Sequence, residues 1–206
     1  MRKALLLFSL LALVACAASY EVVRVPLRDA DLYPLARTEG KITVAVDEIV
    51  NPKRVWRYFS TDLIGQGILP INIIVSNHGP HRVMIQPADV LLYRGKEVFD
   101  PLPLEVVKRA FRPTDTETRQ KLDEYLSEVA LKENLLGPNE RYQGMLFYEI
   151  VDEREERFPR FTILTLFPAG ELKLNVNLTV LETSERLVFG PFPLSGLPSR
   201  SWSTYY

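Results

Sequence analysis

The chain has 206 residues, 47% hydrophobic and 25% charged, with one cysteine and a formal net charge of −1. That balance is globular and supplies a sizeable core for one domain, so it excludes a small module dependent on intramolecular disulfides. With no basic excess it also lacks the global field that attracts nucleic acid.

Met1, Arg2 and Lys3 open the chain with positive charge, and Ala4 to Val14 form an apolar run. The run has secretory length and falls short of the roughly 20 residues that span a bilayer, which predicts a signal peptide over residues 1–15. It closes in Leu13-Val14-Ala15-Cys16, which resembles the bacterial lipobox. The resemblance implies cleavage before Cys16 and three acyl chains on that residue, hence stable membrane attachment, since one chain alone holds only reversibly. The competing reading is an ordinary signal peptide cut near Ala17 or Ala18, with Cys16 discarded. Cysteine usage favours lipidation, because exported proteins commonly pair their cysteines and Cys16 has no partner in this chain. Losing Arg2 and Lys3 takes the net charge to −3. Ala17 is not the aspartate that resembles an inner-membrane retention signal in enteric-type bacteria. In a cell with two membranes, the outer one is therefore expected, with the domain facing the periplasm.

Residues 16–40 carry charges, two prolines and no sustained periodicity, which predicts a lipidated N-terminus and tether, with Val22, Val23 and Val25 available for an edge strand. Ile42, Val44 and Val46 then alternate with Lys41, Thr43 and Ala45, the period of a strand with one buried face. Asn51-Pro52 breaks the pattern. Lys53-Arg54-Val55-Trp56-Arg57-Tyr58-Phe59 follows, with charges alternating with large apolar residues as in a half-buried strand. Its Arg54, Trp56, Arg57 and Tyr58 are the candidate binding residues, able to stack on or pair with an anionic partner. Pro70 lacks a ladder donor, which places it at a strand start or sheet edge, with the strand proper over Ile71–Ser76.

Asn77-His78-Gly79-Pro80-His81 has turn composition between two apolar runs and predicts a β-hairpin. It holds both histidines, which as metal ligands would need a third donor from elsewhere; solvated turn residues are the simpler reading, and no metal or cofactor is expected. Val90-Leu91-Leu92-Tyr93 is a further strand, Arg94-Gly95-Lys96 a tight turn, and Phe99 to Pro103 an extended run. Thr114 with Glu117 fits a capping box. Leu122, Tyr125, Leu126, Val129 and Ala130 recur at helical steps before Gly137-Pro138, which predicts one amphipathic helix over about 115–135. Tyr142–Glu149 reads as a core strand. Asp152-Glu153-Arg154-Glu155-Glu156-Arg157 reads as a solvated loop, because interleaved arginines neutralise its carboxylates. Phe161–Phe167 and the alternating Leu172–Val180 are strands, Leu187–Phe189 is a last short one ended by Gly190-Pro191, and residues 195–206 are a flexible tail.

About eight short strands separated by turns, with one helix inserted, predict a mainly β fold, a β-sandwich over residues 41–194. The chain here resembles the immunoglobulin-like domains of bacterial envelope lipoproteins. The residues that carry the resemblance are Gly67–Asn77, the run to Val90-Leu91-Leu92, and the strand entry Leu136-Gly137-Pro138-Asn139-Glu140-Arg141-Tyr142-Gln143-Gly144-Met145-Leu146-Phe147. Such a resemblance implies a fold and no activity. The chain has no nucleophile near a histidine and an orienting acid, no phosphate-cradling loop and no zinc spacing. The expectation is a non-enzymatic envelope lipoprotein, bound to the membrane through Cys16, that serves as a binding or structural module for another envelope protein. Binding of a small ligand or envelope polymer by the Arg54–Tyr58 stretch is the alternative, and an uncharacterised envelope enzyme a more distant one.

Overall fold

Alternation along Ile42–Glu48 builds strand β2, which pairs antiparallel with β1 (Ala36–Glu39) on one side and β3 (Ile68–Asn77) on the other. β3 in turn pairs along its whole length with β8 (Glu140–Glu149), completing a four-stranded sheet. All ten residues of β3 are buried, as its near-continuous apolar run requires of a central strand covered on both faces. The structure, a computed structural model, describes residues 23–113, 115–149 and 172–195. The signal segment, Cys16, Thr114, the Asp152–Arg157 cluster, the Phe161–Phe167 strand and the tail from residue 196 lie outside the described residues.

The second sheet is organised by β9 (Leu172–Val180), the cleanest alternation in the sequence, with Leu172, Leu174, Val176, Leu178 and Val180 all buried. One edge of β9 carries β10 (Glu185–Pro193). The other is shared by β4 (Val83–Ile85) and β5 (Val90–Arg94), one line of chain interrupted by the 3-10 turn Pro87–Asp89. Asn177 faces that interruption and donates its Nδ2 hydrogen to the Asp89 carbonyl. β6 (Glu97–Phe99) and β7 (Asn134–Leu136) extend the sheet beyond β5 and β4. The inward faces of both sheets share one apolar core, where the buried Tyr148 of β8 donates its hydroxyl hydrogen to the carbonyl of Val90 in β5. The fold is thus mainly β, built from two antiparallel sheets.

Several expectations are corrected. β3 and β4 do not form a hairpin, because they belong to different sheets and the 78–82 segment carries the chain between them. Pro70 lies inside β3 rather than at its start or on a sheet edge. Its carbonyl accepts from Ile49 just past the end of β2, and a residue's N–H and C=O point to the same side of a strand. The missing donor therefore falls where the ladder has already stopped. β10 does not end at Gly190-Pro191 but passes through it. The register shifts between Phe189 and Phe192, a bulge that returns Phe192 to the core beside Phe189. Gly190 is required there by its φ of 137°.

Among the described residues, three helices complete the domain: α1 (Pro52–Phe59), α2 (Leu104–Arg109) and α3 (Thr116–Val129). α1 replaces the expected basic-aromatic strand. Asn51 is its N-cap, with Oδ1 accepting from the backbone N–H groups of Lys53 and Arg54, and Pro52 holds the first helical position. α3 is shorter than the expected helix over about 115–135. Asp115 caps it by accepting from the Thr118 N–H, and Glu117 pairs with Lys121 instead of reaching back. The helix stops because Ala130 turns extended and bridges Met145 at the edge of β8. Leu131 follows, donating its N–H to the Met145 carbonyl and lying against Gly144, whose Cβ, if present, would meet the Leu131 Cα at 2.5 Å. The chain then crosses to the second sheet as β7. Ordered structure also begins before residue 41: Val25 is buried, its carbonyl accepts from Gln143, and Ala30 packs on Ala45 and Ile74.

Candidate functional site

Helix α1 sorts the four sequence-predicted residues by its 3.6-residue period. Val55 and Phe59 point inward and are fully buried, and Phe59 meets Tyr125 of α3 and Phe147 of β8 edge to face, at 6.3 and 5.8 Å between ring centroids. Arg54 and Tyr58 lie at the flank. Arg54 grips Asp47 of β2 with both guanidinium nitrogens, at 3.0 and 2.6 Å, and lies 5.8 Å above the Tyr58 ring. The hydrogen bonds to Asp47 raise the Arg54 pKa above its ordinary value, against the opposing effect of burial. Arg54 therefore fastens the helix to the sheet, a position a bidentate guanidinium suits better than an ammonium would. Trp56 and Arg57 face outward together with Lys53, and Trp56 is 62% exposed. The helix contains no acidic residue.

Tyr33 adjoins this group. Burial, followed by the Asp47 carboxylate, pushes its phenol pKa up, while Arg28 and Arg54 pull it down. The segment leading in from Val23 therefore lies beside α1, and both cover the outer face of the first sheet, the face of Ala45, Asp47 and Ile74.

A second feature lies at one end of the domain, where three turns distant in sequence converge. The β1–β2 turn brings Glu39 and Lys41, the β3–β4 crossing brings Asn77 and His81, and the β9–β10 turn brings Thr183 and Glu185, around a cleft of about 360 Å³. Its floor includes Ile42, Val180 and Leu187, and the charged rim residues are all exposed. The buried polar group at the cleft is the Asn77 side chain, fully consumed by backbone. Its Nδ2 donates to the carbonyls of His81, Leu136 and Gly137 at 2.8, 3.3 and 3.0 Å, and its Oδ1 accepts from Gly79. The cleft thus reaches small-molecule size, and its buried Asn77 amide is already taken up by backbone.

The two histidines are not brought together as a ligand pair. His78 approaches Asp29 at 3.5 Å, whereas His81 lines the cleft. Among the described residues, no group of three His, Cys, Asp or Glu side chains is placed to hold a metal. Asp29 also accepts from Ser76 Oγ and from Arg141 Nε, each at 3.0 Å, so a serine, a histidine and an aspartate do meet here. Ser76 is fully buried, gives its hydrogen to Asp29 rather than to His78, and accepts from the Ala30 N–H. That geometry ties the incoming chain to β3 and leaves no activated hydroxyl.

Fold and site together define a two-sheet antiparallel β domain with a helical layer bearing an outward basic-aromatic face. No family model matches the chain, and no curated protein matches it. Two solved structures show distant likeness. One is the lipoprotein candidate ycdA of Bacillus subtilis strain 168, with a TM-score of 0.39 and 16% identity, over 75% of this chain and 37% of that one. The other is the yjhA protein of Bacillus subtilis, with a TM-score of 0.39 and 11% identity, over 76% of this chain and 95% of that one. The chain therefore spans little more than a third of ycdA. Likeness at this level assigns neither a family nor an activity.

Proposed function

We propose that this protein is an envelope lipoprotein, attached to the membrane through lipidated Cys16, whose domain is an immunoglobulin-like sandwich. It serves as a non-enzymatic binding or structural module for another envelope protein, on the periplasmic side of the outer membrane where two membranes exist. The observation that carries this reading is the ordered series of Arg2-Lys3, the apolar run to Val14 and the small-residue step into Cys16, the sole cysteine. Two structural facts support it. Val25, nine positions past Cys16, is already docked on Gln143, so covalent geometry holds the domain within about 30 Å of the anchor. Ser76, which shares Asp29 with His78, spends its hydroxyl on structure. No described helix is long and apolar enough to cross a membrane, so a helical anchor would have to come from outside the described residues.

Cell fractionation tests the anchor: wild type is expected with membranes and the Cys16→Ser variant in the soluble fraction, and equal distribution of the two contradicts it. In-cell cross-linking with mass spectrometry tests the module, a reproducible envelope partner being expected and a partnerless monomer counting against it. A second reading, small-ligand or envelope-polymer binding, draws on the 360 Å³ cleft and on outward Trp56 and Arg57. It predicts that Trp56→Ala with Arg57→Ala loses binding to envelope fractions.

A further inference from the structure

The helical layer carries three of the most exposed large apolar residues: Leu32 at 68%, Trp56 at 62% and Leu27 at 49%. All three lie on two of the segments that cover the outer face of the first sheet, residues 23–35 and helix α1. The same segments bear five cations. Two are engaged, Arg24 with Glu128 and Arg54 with Asp47, which leaves Arg28, Lys53 and Arg57 without an ion pair among the described residues. Of the carboxylates on these segments, Asp29 is held by Arg141, and Asp31 alone stands against the three cations. These two segments are therefore rich in exposed apolar side chains and net basic, on a chain whose net charge is negative and beside the acidic helix α3. Exposed tryptophan and leucine beside lysine and arginine suit the headgroup layer of a membrane, where an amphipathic ring and cationic tips are both satisfied.

What brings a membrane to this face is the short approach of the chain. Only six residues separate Cys16 from Val23, so the first described residue stays within about 25 Å of the anchored atom. The chain enters the fold on the outer face of the first sheet, where Val25 meets Gln143, on the same side as α1. We infer that this face, with Leu27, Leu32 and Trp56 among Arg28, Lys53 and Arg57, rests on the anionic lipid headgroups of the membrane that holds the anchor and sets the orientation of the domain. The inference rests on the lipid anchor proposed above. It leaves the opposite sheet turned away from the bilayer and open to a partner.

The test uses mature lipidated protein extracted from membranes, carrying Trp202→Phe so that Trp56 is the one tryptophan. It is reconstituted in vesicles with brominated acyl chains, either of phosphatidylglycerol and phosphatidylethanolamine or of neutral phosphatidylcholine. Trp56 emission is expected to fall at least twofold on the anionic vesicles and by less than half as much on the neutral ones. Lys53→Glu with Arg57→Glu should abolish the difference, and the milder Lys53→Gln with Arg57→Gln should reduce it. Flotation and the mass of the N-terminal peptide are read on the same samples. Protein that floats with lipid on Cys16 while Trp56 stays unquenched overturns the docking and spares the anchor. Quenching that survives charge reversal, or in-cell cross-links from Lys53 to a protein in place of shielding by lipid, also overturns the docking. Unlipidated protein that does not float overturns the anchor and the docking together.

Discussion

Replacing Asn77 by alanine removes the side chain that fastens three converging segments at one end of the domain. Four hydrogen bonds are lost, those to His81, Leu136 and Gly137 and the one from Gly79. The Leu136 and Gly79 partners are in buried contacts and stay unsatisfied, at about 1 to 1.5 kcal/mol each, whereas the other two sit nearer solvent, rehydrate and cost about half a kcal/mol each. The expected loss is about 3 kcal/mol, or about 6–12 °C in Tm for a domain of this size. Asn77→Asp sharpens the test, since it keeps the acceptor and aims a carboxylate at three carbonyl oxygens. Its charged form is disfavoured in the folded state, which raises the folded-state pKa of the introduced carboxyl. The folded state then binds the proton more tightly than the unfolded one, so this variant gains stability relative to wild type as pH falls toward about 4. Urea unfolding at pH 7 and pH 4.5 measures both effects, with the m-value unchanged. A loss below about 1 kcal/mol for Asn77→Ala, or a pH-independent deficit for Asn77→Asp, refutes the role given to this amide.

Phe59→Ala should cost about 3–5 kcal/mol, because it empties a fully buried site and removes two edge-to-face ring contacts that join α1 to α3 and β8. Thermal unfolding checks it, and a change within experimental noise contradicts the packing described. At alkaline pH three wholly or partly buried tyrosines act together. Burial raises the phenol pKa of Tyr148, and also those of Tyr142 and Tyr33. The unfolded chain therefore releases these protons first, and stability should decline as pH rises above about 10. Absorbance at 295 nm should show Tyr148 ionising only as the far-UV signal is lost.

The strands were legible where one period ruled. β2 and β9 alternate cleanly, and β8 reads as a solid apolar block. The α1 stretch reads as a strand because Lys53, Arg54 and Arg57 interleave with Val55, Trp56 and Phe59 in a way that imitates a half-buried strand. Asn51-Pro52 was nevertheless an available signal of a helix start, and Val55 with Phe59 supplied the four-residue step. The helix expected over about 115–135 is too long because its stop signal, Gly137-Pro138, follows the crossing and β7 rather than the end of α3. β3 and β4 looked like a hairpin because composition marks a turn but does not say which sheet the chain enters next. The cleft was not legible at all, since its walls come from turns near residues 40, 80 and 184. Of the four predicted binding residues, the helical period separates Trp56 and Arg57 on the outside from Arg54 and Tyr58 at the flank, a division that reading the stretch as a strand could not make.

The mass of the N-terminal peptide of the mature protein decides whether Cys16 is covalently anchored. Membrane-extracted protein should yield a peptide that begins at Cys16 and carries the added mass of acyl chains, lost on lipase or alkaline treatment where the chains are ester-linked. A mature chain that begins at Ala17 or Ala18, or one that begins at an unmodified Cys16, rules the anchor out.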